Sequence, residues 1–174
     1  MKFRWLLVFA LALAVVRPAS SQVAAYVDFS ASDLTGGIAT VTTNILYGPT
    51  IGLTAQLGSK AHLKLYADIR AGLYGSGQKL DEVGLGPKLG LDFKKFEAYT
   101  EFLVGFGRYN NGLNAAASSS TDSQIEMNFG LDRRISERFD WRLIEFGYEQ
   151  YYGLGGVYNP KTYSTGVVMH IGKR

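Results

Sequence analysis

From His62 to Tyr74 the chain alternates between two kinds of residue. Leu63, Leu65, Ala67, Ile69, Ala71 and Leu73 share one parity, while His62, Lys64, Tyr66, Asp68, Arg70, Gly72 and Tyr74 share the other. A period of two puts successive side chains on opposite faces of an extended strand. The segment therefore has one oily face and one charged face. A chain that repeats this pattern needs an apolar surrounding on one side of its sheet and a polar one on the other.

The pattern recurs in seven more segments, predicted at Val23–Ser30, Tyr47–Leu57, Val83–Phe93, Glu97–Tyr109, Gln124–Arg133, Trp141–Tyr151 and Thr162–Ile171. Lengths near ten match a tilted strand crossing a bilayer. The predicted connections alternate as well. Gly58–Ala61, Lys94–Phe96 and Arg134–Asp140 are short, whereas Ala31–Leu46, Gly75–Glu82, Asn110–Ser123 and Tyr152–Lys161 are longer and polar. Short periplasmic turns alternating with longer external loops are the habit of membrane barrels. The expected fold is all-β: an eight-stranded antiparallel up-and-down transmembrane barrel with both termini periplasmic. Asn110–Ser123, with its Ala-Ala-Ala-Ser-Ser-Ser core, is expected to be an exposed external loop.

The first residues read as a secretory signal. Lys2 and Arg4 precede an apolar run from Trp5 to Val16, Arg17-Pro18 breaks it, and Ala19-Ser20-Ser21 offers small residues for cleavage. That run is shorter than the roughly 20 residues a spanning helix needs. The expected organisation is a signal peptide over 1–21 and a barrel domain over 22–174. Lys2, Arg4 and Arg17 also account for the whole formal net charge of +3, so the remainder is balanced. With no basic stripe left, no nucleic-acid partner is expected. Cysteine is absent, which excludes disulfides, thiol chemistry and cysteine-ligated metal centres.

Eight strands enclose a lumen only wide enough for side chains to fill, so no open channel is expected. The polar parity carries Asp28, Lys64, Asp68, Arg70, Lys88, Asp92, Glu97, Glu101, Glu126, Asp132, Glu145 and Glu149, with His170 near a strand end. Buried charges persist when paired and hydrogen-bonded. Lys64, Arg70 and Lys88 are therefore expected within ion-pair reach of several of these carboxylates. Three cations against nine carboxylates leaves an acidic surplus that calls for water or protonated carboxyls.

No catalytic, cofactor or metal site is expected. His62 and His170 are the only histidines and fall where they could approach each other, but a metal needs further convergent ligands. Glu97 and Glu101 lie roughly 13 Å apart along one strand face, beyond the about 5–9.5 Å of a glycosidase pair. Gly153-Leu154-Gly155-Gly156 has no helix after it and reads as a loop rather than a phosphate cradle. Tyr109, Phe139, Trp141, Tyr151 and Tyr152 cluster at strand ends, where aromatic girdles meet lipid interfaces.

Three stretches carry a resemblance: Tyr47-Gly48-Pro49-Thr50-Ile51-Gly52-Leu53, the segment ISERFDWRLIEFGY over 135–148, and Thr165-Gly166-Val167-Val168-Met169-His170-Ile171. With them the chain resembles the small outer-membrane β-barrel family, the OmpA/OmpX-like domain often labelled a porin-family protein. The resemblance implies a bacterial outer-membrane location, with outer-membrane lipid and the barrel-assembly machinery as partners. Members usually finish on an aromatic residue; here Ile171 holds that register and Gly172-Lys173-Arg174 follow. Fold alone leaves function open. The expected role is structural or surface-interacting, through loops whose partner is unknown. The alternatives are a secreted lipocalin-like barrel with its apolar parity turned inward around a ligand, and a narrow-pore porin.

Overall fold

The computed structural model describes residues 22–34, 45–76, 78–110, 119–153 and 156–171. The expected signal segment, parts of the two longest connections and Gly172–Arg174 lie outside the described residues. The strands are β1 (Val23–Asp33), β2 (Ile45–Lys60), β3 (Leu63–Gly75), β4 (Lys79–Asp92), β5 (Phe96–Asn110), β6 (Ser119–Arg134), β7 (Phe139–Gly153), the three-residue β8 (Gly156–Tyr158) and β9 (Lys161–Ile171). Each long strand pairs antiparallel with the next. β7 pairs with both β6 and β9, and β9 returns to β1, so eight strands close into a ring. Closure removes the free edges of these eight strands, which lets their backbone N–H and C=O groups pair without water.

Alternation along each strand becomes inside against outside. On the expected apolar parity Val27, Phe29, Ile51, Leu53, Ile69, Leu85, Leu89, Val104 and Val167 lie on the outer wall, each more than 40% exposed. On the other parity Tyr26, Asp28, Asp68, Arg70, Lys88, Glu101, Glu126 and Glu145 are buried within the ring. The lipocalin-like alternative is overturned by this, because the oily face points out and the charges point in. An outer wall of this kind is stable against hydrocarbon and unfavourable against water. Phe146, on the outer parity with its ring 5.4 Å from that of Tyr163, samples this wall. Phe146→Arg should lower folding stability in lipid vesicles by about 2–4 kcal/mol, read from urea titrations; wild-type stability would contradict the assignment of that face to lipid.

At one end the connections are tight. Ala61 (φ 54°) and Lys94 (φ 61°) take the left-handed backbone that close hairpins require, and only 135–138 separate β6 from β7. At the other end the strands run further than their sequence pattern predicts. The expected Gly75–Glu82 loop shrinks to 76–78 between β3 and β4, and β6 begins at Ser119, inside the expected Asn110–Ser123 loop. Gly153 and Gly156, expected in a loop, pair with each other between β7 and β8. These ends are polar because they stand beyond the apolar belt, where a paired strand carries no oily face to mark it.

Candidate functional site: the charged interior

Among the described residues the barrel interior gathers the charged and hydroxyl side chains. Space for it comes from small residues under large ones. A Cβ at Gly52 would run into the Tyr26 ring, and one at Gly130 into the Tyr99 ring. Both rings thereby lie across the lumen and offer their faces and hydroxyls to the charges around them.

Arg70 is a hub. Its guanidinium donates to Glu101 (2.8 Å), to Glu126 (2.9 Å), to both oxygens of Glu145 (3.1 Å each) and to the Tyr26 hydroxyl (3.2 Å). A second hub was not legible in the alternation. Arg142 is 1% exposed and pairs with Asp28 (2.7 Å), Asp132 (3.1 Å) and Glu145 (3.3 Å), with its guanidinium carbon 4.4 Å from the centre of the Tyr26 ring. Counting back from Glu145 by twos puts Arg142 on the lipid side. A β-bulge corrects this: β6 passes from Leu131 opposite Ile144 to Asp132 opposite Arg142, so Leu143 is the extra residue. Thr165 secures the bulge by donating its hydroxyl to the Arg142 carbonyl at 2.8 Å. Bulges re-aim side chains in this manner. Arg142 is thus an interior cation beyond the three expected.

The remaining cations sit nearer the tight-turn end. Lys64 pairs with Asp92 at 2.6 Å and Glu97 at 3.0 Å, and Arg134 reaches Asp92 at 3.2 Å. Lys88 lies 3.9 Å from Asp132 and 3.6 Å from the centre of the Tyr99 ring, which makes its partner an aromatic face as much as a carboxylate. His170 bonds the Asp140 carboxylate at 2.8 Å, whereas His62 is exposed and bonds the Asp92 carbonyl at 3.1 Å. The two histidines therefore serve different partners and form no joint site. Among the described residues no three histidine, cysteine, aspartate or glutamate side chains converge as metal ligands.

Two expected ion-pair members are held by hydroxyls instead. Asp68 accepts from Tyr26 at 2.7 Å and from Thr54. Glu149 accepts from Tyr151 at 3.1 Å and from Thr162. The same device serves Glu82, a buried carboxylate absent from the expected network: Tyr74 and Tyr151 donate to it at 2.8 and 2.6 Å. Asn128 donates to Glu101 at 3.0 Å and to Glu126 at 2.7 Å, and Gln124 donates to Glu126 at 3.2 Å. Neutral donors thus take up much of the acidic surplus. A buried carboxylate needs donors on its lone pairs, and a phenol supplies one without a second charge.

Among the described residues both ends of the lumen are narrowed. Towards the long connections Leu34, just past β1, forms a buried apolar cap with Leu46, Tyr74, Leu80, Tyr109 and Tyr151 of β2–β5 and β7. Tyr109 and Tyr151 belong to this cap and not to an outer girdle as expected, while Phe139, Trp141 and Tyr152 are exposed at strand ends. Towards the tight turns lies a narrow cleft of about 20 Å³, bordered by Lys64, Tyr66, Lys88, Glu97, Asp132 and His170. That is room for about one water molecule.

No protein-family model matches the chain, and no curated protein matches it either. Solved structures do. Neisserial surface protein A (NspA) is 15% identical, with a TM-score of 0.61 over 86% of this chain and 96% of that one. The N-terminal β-barrel domain of Pseudomonas aeruginosa OprF is 13% identical, with a TM-score of 0.57 over 87% of this chain and all of that domain. Ail, the attachment invasion locus protein of Yersinia pestis, is 14% identical, with a TM-score of 0.56 over 87% and 97%. Identities this low speak for the fold alone, and in fold this chain is a small eight-stranded barrel of the outer-membrane type.

Proposed function

We propose that this chain is an exported outer-membrane protein whose closed barrel serves as a rigid, lipid-anchored scaffold for surface interaction. The observation that carries the reading is the sorting of the two parities: an apolar wall outside, and inside a charge network with a buried apolar cluster towards one end and a narrow cleft towards the other. A lumen filled by Arg70, Arg142 and their carboxylates stiffens the wall and leaves no continuous water path. The signal segment over 1–21 delivers the chain for insertion by the barrel-assembly machinery. Both termini then face the periplasm, and the long connections face outward with the partner-binding role. The names of NspA and Ail, a surface protein and an attachment protein, agree with a surface role.

The protein should partition with detergent-extracted outer membranes and migrate heat-modifiably on a gel; recovery from the soluble periplasmic fraction would count against the anchor. In planar bilayers the purified barrel should show no discrete conductance steps. Steady single-channel steps at several voltages would replace this reading with that of a narrow-pore porin.

A further inference from the structure

The charge of the two barrel ends differs. At the tight-turn end stand Lys60, Lys94, Lys95, Arg133 and Arg138, all exposed, with Glu137 the exposed acid among them. Asp92 and Asp140, also at this end, are already engaged with Lys64, Arg134 and His170. At the opposite end the exposed cations Lys79, Arg108 and Lys161 are met by Asp33 and Asp81, and Arg108 lies directly across the strand pair from Asp81.

Arg133 is the informative member of the tight-turn set. It sits on the outer parity of β6, and its neighbours across the two strand pairs are Phe96 and Trp141. A cation on the outer wall between two exposed aromatic rings is placed where an apolar belt ends and a polar layer begins. The turns repeat that interleaving. Phe93 and Phe96 bracket Lys94 and Lys95, while Ile135 and Phe139 bracket Arg138. Phe93 is 58% and Ile135 65% exposed, so exposed apolar side chains stand beside the basic residues.

We infer that this tight-turn rim is a binding surface for anionic phospholipid headgroups, with Arg133, Lys94, Lys95 and Arg138 taking the phosphates and Phe93, Phe96, Ile135 and Phe139 the adjoining acyl chains. The occupant follows from the charge excess together with its continuity with the outer wall: a headgroup joins a phosphate to hydrocarbon at the same boundary. Basic residues at a membrane surface attract anionic lipid, and salt weakens that attraction. The inference rests on the reading of the chain as a membrane-spanning barrel.

Trp141 is a built-in reporter, because it flanks Arg133 and is one of two tryptophans in the chain. The full chain carrying Trp5→Phe is reconstituted in phosphatidylcholine vesicles that contain, at equal mole fraction, either brominated phosphatidylglycerol or brominated phosphatidylcholine. Both bromolipids should quench Trp141, the anionic one several-fold more strongly. That preference should fall to parity when Lys94, Lys95, Arg133 and Arg138 are replaced together by glutamine. It should also vanish for the unmodified rim in about 1 M salt, where the screening length is about 3 Å; this second measurement is independent of whether the quadruple variant folds. Equal quenching by both lipids would overturn the inference and leave the membrane barrel standing. A preference that survives neutralisation or high salt would remove it from this rim. Quenching by neither lipid would overturn the membrane reading itself.

Discussion

Replacing Arg142 with methionine should lower the folding stability of the barrel in lipid vesicles by about 3–5 kcal/mol, among the largest losses expected from a single change. Methionine keeps much of the volume and removes the charge. Asp28, Asp132 and Glu145 would then share a buried site without the guanidinium that neutralises them. The faces of Tyr26 and Tyr99, which stack against that guanidinium, cannot take over the role. Urea titration of the vesicle-bound protein, followed by heat-modifiable migration, measures the loss. Lys79→Met, at the exposed start of β4, should stay within about 0.5 kcal/mol. Equal, small effects at both positions would mean that Arg142 is not buried and that β7 lacks its bulge.

Arg70→Met should have a similar effect, about 3–5 kcal/mol, and a more informative pattern in double variants. Arg70 joins Glu101, Glu126 and Glu145, so each acid is stranded when the cation goes. A second change of Glu101 or Glu126 to glutamine removes one stranded charge and should restore part of the loss. Groups in one network couple in this way, whereas distant sites add. Strictly additive losses for both acids would count against a shared hub. Asp68, held by Tyr26 and Thr54 through hydroxyls, should be less coupled to Arg70 than Glu101 is.

How much of this was legible before the structure depended on whether the signal was local. The alternation at Leu63 to Tyr74 and at Ala98 to Phe106 is a property of neighbouring residues, and it predicted which side chains share a face. Arg70 was readable as a hub because it stands mid-strand on an unbroken charged parity. Arg142 was not. One inserted residue, Leu143, inverts the count, and whether a chain bulges there depends on the register of β6 and β9 on either side. The strand extensions past Gly75 and into Ser119–Ser123 were hidden for a related reason: beyond the apolar belt a paired strand and a polar loop look alike in sequence.

Covalent order alone carries an eight-fold repeat of two-faced strands, the parity of each face except across the bulge at Leu143, and a chain without thiol chemistry. Those follow from composition and from a period of two, which are fixed by covalent order. The tertiary structure decided which face met which surroundings, since the same alternation serves a barrel turned either way. It also decided who partners whom. Arg142 reaches Asp28 across 114 residues, and Tyr151 reaches Glu82 across 69. Ring closure brings such groups within 3 Å, and only then does a surplus of carboxylates find its cations and phenols. Hydrogen bonds depend on a few tenths of an ångström and on angle, quantities that a linear pattern does not contain.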